Sequence, residues 1–322
     1  MKRTSGEQID DAEVRDRGTE PRRSQAEEIV HVTRARARSG ELVALGLLGL
    51  LSGCQSALDQ RLDVVDQERV LAIVSEPPEV LPGHEVAVTA IVGGPSGPMT
   101  VTPAWSLCDA PKPPTVDDSV ADGCVENQVT PIPDPTMALI PMDACQTYGP
   151  DVESVGFAPR NPDVTGGYYQ PVRAQLPSID LAFGFTRITC NLPNASGETA
   201  HEYQLDYVAN QNPMLDPIVL PATVATGAEV PITASWPVTE TYLYYDPTSQ
   251  TLVTRRESMA VSWFATSGAF PADASDVGED DPAQSASTTW TAPSTPGAAW
   301  LWIVVRDSRG GLATQSIAVT VQ

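Results

Sequence analysis

The chain has 322 residues, with 41 acidic against 19 basic side chains and a formal net charge of −22. The first 53 residues hold nine basic and nine acidic groups, so the whole imbalance falls on the roughly 270 residues that follow. A surface of that sign repels phosphate backbones and anionic head groups, which excludes nucleic acid as a partner class.

Residues 1–33 are charged and nearly free of aromatics, so they cannot form a core. They read as a disordered tail or a mis-assigned start, with translation beginning as late as Val32. Arg34, Arg36 and Arg38 then precede an apolar run over 42–51. Ten residues fall well short of the roughly 20 that cross a bilayer as a helix. Leu51-Ser52-Gly53-Cys54 closes the run. A basic flank, a short apolar stretch and small residues in that order make an export signal. The plainer alternative is a short buried helix.

The tetrad resembles the lipobox of bacterial lipoproteins. The resemblance implies a signal peptide over 34–53, cleavage before Cys54, and acyl chains such as palmitate on Cys54. The membrane partner is then reached through lipid. Gln55 stands where an aspartate would imply inner-membrane retention, so the resemblance favours the outer membrane of a Gram-negative envelope. Residues 54–66 turn polar and read as a tether.

With Cys54 set aside, Cys108, Cys124, Cys145 and Cys190 remain. An even number in an exported chain reads as two disulfides. Three pairings exist. Short loops close at least entropic cost, which favours Cys108 with Cys124 and Cys145 with Cys190, each contributing about 3 kcal/mol. Zinc is the alternative, but no C-x-x-C pair supports it.

Thirty prolines punctuate the chain and leave little room for long helices. Short β-branched runs separated by turns predict strands at 70–74, 84–92, 100–108, 168–174, 182–191 and 202–208. A Pro- and Asp-rich loop over 109–135 is long enough to need a staple. Residues 67–209 read as a disulfide-containing sandwich, and 209–213 as a linker. Gly227-Ala228-Glu229-Val230 then repeats the grammar of Gly83-His84-Glu85-Val86, which suggests two copies of one architecture. Strands are predicted at 257–266, 285–290, 298–306 and 312–321. Asp307-Ser308-Arg309-Gly310-Gly311 makes the turn of a closing hairpin. The series Val261-Ser262-Trp263, Trp290-Thr291-Ala292-Pro293 and Ile303 to Gly311 resembles bacterial immunoglobulin-like modules related to cadherin and polycystic-kidney-disease-type domains. That resemblance covers roughly 212–322, within a second sandwich over 210–322, and implies that Trp263 lies in its core. The fold class is all-β: two immunoglobulin-like β-sandwiches in tandem, after a disordered segment, a signal helix and a tether.

Chemistry is sparse. No nucleophile elbow, H-E-x-x-H pair or phosphate-binding glycine loop exists. His84 reads as a turn residue and His201 as a surface one, so the chain reads as no enzyme, with a hydrolase a distant alternative. The densest acidic cluster is Asp273, Asp276, Glu279, Asp280 and Asp281. It reads either as a solvated loop or as a calcium site, the one cofactor considered. Parity along 298–306 turns Leu301, Ile303 and Val305 inward and Trp300 and Trp302 to the other face. There the two indoles either stack on a glycan or anchor a partner, or pack under a hairpin near 242–254 or against the first sandwich. The reading is a lipid-anchored, non-catalytic module of the cell envelope with a structural or protein-interaction role. A glycan- or matrix-binding adhesin using Trp300 and Trp302 is the alternative.

Overall fold

The computed structural model describes residues 61–112, 120–149, 151, 163–192 and 194–322. The expected tail, signal peptide and Cys54 lie outside them. The described chain is all-β. Its first strands are β1 (Arg69–Glu76), β2 (Glu79–Val80), β3 (Glu85–Gly94), β4 (Gly97–Met99), β5 (Ala104–Cys108), β6 (Val129–Pro131), β7 (Met137–Leu139), β8 (Tyr168–Leu176) and β9 (Ile179–Ile188). One sheet runs β1-β3-β4, with β7 also on β3; the other runs β2-β9-β8-β5-β6. Their facing side chains alternate with outward ones, as a pleated strand requires. Ile73, Val86, Val88, Trp105, Val172 and Ile188 meet in one core between them.

The later strands are β10 (Thr223–Val224), β11 (Glu229–Ser235), β12 (Thr241–Asp246), β13 (Thr251–Arg256), β14 (Met259–Ala265), β15 (Ala274–Val277), β16 (Ser285–Thr291), β17 (Gly297–Asp307) and β18 (Leu312–Val321). A five-stranded sheet, β10-β18-β17-β14-β15, faces the pair β11-β16. Met259, Val261, Trp263 and Ala265 are buried while their neighbours on β14 are less so, and Trp263 is fully enclosed. Trp236, Trp290, Leu301, Ile303 and Val305 complete that core. The predicted inward parity of β17 and the hairpin β17-β18 are both present. So is the hairpin β12-β13, as a separate two-stranded sheet.

Among the described residues, three short helices interrupt the strands: α1 (Asp122–Val125), α2 (Ala144–Thr147) and α3 (Gly197–Asp206). The structure pairs Cys108 at the end of β5 with Cys124 in α1, and Cys145 in α2 with Cys190 beyond β9. The first bridge draws the long loop onto the sheet, where Ala110, Val120 and Ala121 cover Phe183 and Phe185.

Two expectations are corrected. Residues 202–208 are no strand: α3 runs through Asp206, and His201 sits in it, exposed. Its start is set by Ser196, whose hydroxyl accepts from Thr199 N at 3.1 Å, with Glu198 in the first turn. The tether does not extend to 66. Val64 bridges Ala265 of β14 in parallel, Val65 N donates to Ala265 O at 2.8 Å, and Val65 is fully buried. Within the segment read as a linker, Asn210 has no accessible surface.

Candidate functional site: a buried charge junction

Among the described residues, strands β1–β9 meet strands β10–β18 at a strap, an indole seam, a hairpin and an ion network, beside the Asn212 amide, which donates to Ser75 O of β1 at 2.8 Å and accepts from Leu312 N of β18 at 2.7 Å. The first is the strap over 61–65 on β14. The second lies beside it: Trp302 packs with Val65 and Leu71, flanked by Ile91, Phe264 and Trp300. Gly97 admits the edge of Trp300. A Cβ there would stand 2.5 Å from the indole Nε1, and its φ of +118° suits glycine. The third is the hairpin β12-β13, which reaches onto α3. Tyr245 buries its ring with Leu192 and Tyr203, its N donates to Val164 O at 2.9 Å, and its hydroxyl donates to Asn194 O at 3.1 Å.

The fourth is a network of ions. Arg187 leaves β9 toward the later strands and is entirely buried. Its Nε donates to Glu79 of β2 at 3.0 Å and its Nη1 to Asp163 at 2.5 Å. Its Nη2 donates to the carbonyls of Thr165 and Gly166 at 2.8 and 2.7 Å. Glu79 also accepts from the Tyr207 and Thr189 hydroxyls and from Asn210 N. Tyr203 and Tyr207 stand four residues apart at the end of α3, so both reach the same side.

From the other direction comes Arg309, in the turn between β17 and β18. Its Nε donates to Glu257 at 2.7 Å and its Nη2 to Glu240 at 2.9 Å. Its Nη1 donates to Val208 O at 3.0 Å and lies 3.8 Å from Glu79. Asp307 accepts from the backbone N of Arg309 and Gly311, and from the Asn210 side chain at 3.2 Å. The segment expected to be a linker thus bonds Glu79 through its backbone and Asp307 through an amide.

Burial opposes the charge on Arg187, but Asp163, Tyr169 and Glu79 outweigh it and raise its pKa well above the ordinary value. Arg309 is likewise raised, with burial opposed chiefly by Glu257. Burial, with Asp307 nearby, pushes the Glu257 carboxyl up to about 8. Burial also raises Asp307, against the hydrogen bonds it accepts. Tyr207 is pushed up to about 12, again chiefly by burial. These groups are spent on one another, as buried ions must be.

The site residues expected from the sequence fall elsewhere. Trp302 does lie on the face opposite Leu301, as parity predicts, yet it is only 2% exposed and Trp300 is half-buried. The reason is that the strap, β1 and β3 cover that face, so the two indoles offer no open platform. Asp273, Asp276, Glu279, Asp280 and Asp281 are all exposed, strung along β15 and its flanks. Glu279 faces Arg255 at 3.9 Å, and Asp281 accepts from Ala283 N. Among the described residues no three His, Cys, Asp or Glu side chains converge as around a metal. His84 lies exposed in the turn before β3.

No family model matches this chain, and no curated protein does. Among solved structures, the Yersinia pseudotuberculosis adhesin InvE aligns at 11% identity and a TM-score of 0.21, over 78% of this chain and 58% of that one. The native conformation of E. coli alpha-2-macroglobulin aligns at 11% and 0.24, over 79% and 17%. The human OSCAR ligand-binding domain aligns at 12% and 0.20, over 79% and 99%. The chain thus spans under two thirds of the adhesin's length. Nothing about its activity follows from likeness at this level.

Proposed function

We propose that the protein is a lipid-anchored, non-catalytic module of the bacterial cell envelope, acting as a structural or protein-interaction element. The observation that carries the reading is the cysteine arithmetic. Cys108 pairs with Cys124 and Cys145 with Cys190. Two disulfides suit an oxidising compartment outside the cytoplasm. Neither needs Cys54, the residue that the L-S-G-C tetrad marks for lipid. The lack of a recognisable catalytic motif in the sequence and the mutual use of the buried ions favour a binding or scaffolding role. Gln55 favours the outer membrane if the source is Gram-negative.

Lipidation is tested by mass spectrometry of the mature N-terminus. The expected result is an acylated Cys54 as first residue, with Cys54→Ala shifting the protein from the detergent phase to the aqueous phase. An unmodified Cys54 peptide continuous with residues 6–15 overturns it. Pull-down from envelope extracts then addresses the interaction role.

A further inference from the structure

The junction holds five carboxyls, Glu79, Asp163, Glu240, Glu257 and Asp307, against the two guanidiniums of Arg187 and Arg309. Their burial is uneven. Asp163 and Glu240 keep 20% and 30% of their side chains exposed, so water carries part of their charge. Glu79 and Arg187 neutralise each other with no access to solvent. That leaves Glu257 and Asp307, at 3% and 7% exposure, to share Arg309. Of these two, Glu257 takes the guanidinium bond; Asp307 has the N–H groups of Arg309 and Gly311 and the Asn210 amide. Asn210 Oδ1, on the same amide, is a buried acceptor with no donor among the described residues. Full ionisation would therefore strand a negative charge between the two strand sets. The remaining neighbours do not remedy this: Tyr242 lies beneath Arg309, Tyr169 beside Arg187, and Tyr203 and Tyr207 contribute hydroxyls.

We propose that the junction is a proton-held clamp: a proton retained by the Glu257–Asp307 pair keeps the two strand sets docked, and its loss at alkaline pH loosens them. This is independent of the lipid-anchor reading. Both carboxyls are raised in the folded state, so that state binds more protons than the unfolded chain. Stability from this pair is greatest near the ordinary carboxylate range and declines as pH rises through about 8, the value for Glu257. The device responds to alkali, opposite in sense to a surface carboxylate bridge.

The clamp is tested by limited proteolysis of the full chain carrying Cys54→Ser. Trypsin after Arg309, whose side chain is 2% exposed, probes a site that docking buries. Rates are normalised to an unstructured peptide at each pH. From pH 7 to 9.5 the normalised rates are expected to rise at least about tenfold. Glu257→Gln and Asp307→Asn, each neutral at every pH, are expected to cut that rise below about twofold, whereas Glu229→Gln, exposed at the head of β11 and outside the network, leaves it intact. A flat wild-type profile overturns the proposal whether or not the variants fold. So does an undiminished rise in both Glu257→Gln and Asp307→Asn with native near-ultraviolet dichroism.

Discussion

Arg187→Met is the sharpest test of whether the ion network holds the molecule together. The side chain has no solvent access, and Met fills most of its volume without its charge. Five bonds vanish: to Glu79, Asp163, Tyr207 Oη and the carbonyls of Thr165 and Gly166. Glu79 keeps Tyr207, Thr189 and Asn210 as donors but loses its ion partner, and Arg309 stands 3.8 Å away. Leaving one buried partner uncompensated costs about 3–5 kcal/mol. The distant Arg309 places the expectation near the lower end, about 3 kcal/mol. That is a large share of the roughly 5–15 kcal/mol that ordinary domains possess. Guanidinium denaturation of the Cys54→Ser chain, followed by far-ultraviolet dichroism, measures it. Adding Glu79→Gln to Arg187→Met removes the stranded charge and is expected to recover about half of the loss, a coupling visible in a double-mutant cycle. A loss under about 1 kcal/mol, or strict additivity of the two changes, refutes the reasoning, because either means that water already reaches the pair.

Replacing both cysteines of one bridge by serine separates the two disulfides. Loop separations of 16 and 45 residues imply losses of about 3 kcal/mol for Cys108–Cys124 and about 4 kcal/mol for Cys145–Cys190. Denaturant midpoints rank them, and non-reducing peptide mapping verifies the pairing. Trp302→Ala empties the pocket between Val65 and Leu71 and is expected to cost about 3–5 kcal/mol, whereas an exposed glycan platform would lose almost nothing.

Strand positions are legible in the sequence because alternation and turns decide them locally. Val230, Ile232 and Ala234 face inward on β11 as their spacing requires, and the Asp307–Gly311 turn closes β17 on β18. The helix α3 escapes such a reading for a traceable reason. Tyr203 and Tyr207 look like strand residues, while the start signal lies in Ser196, Glu198 and Thr199. The junction leaves almost no local trace. Glu79, Arg187 and Arg309 are more than 100 residues apart at each step, and an isolated charge reads as surface. One signal is available: Arg187 interrupts an apolar stretch of strand, Leu181 to Ile188, in a region with only nine arginines after Cys54. Trp302 is hidden from the sequence in the same way, since parity fixes a side chain's face but not what a distant strand lays over it.

If Cys54 carries lipid, the strap over 61–65 sets where the folded body begins relative to that anchor. From Cys54 to Arg61 is seven residues, which span at most about 25 Å when fully extended. With lipid on Cys54, that length is the whole standoff. The acidic body would hang from a point beside Ala265 of β14, and its reach would be roughly three Debye lengths at physiological salt. Repulsion from anionic head groups then fades within the leash's own length, so the leash, rather than the charge, sets how far a partner must approach.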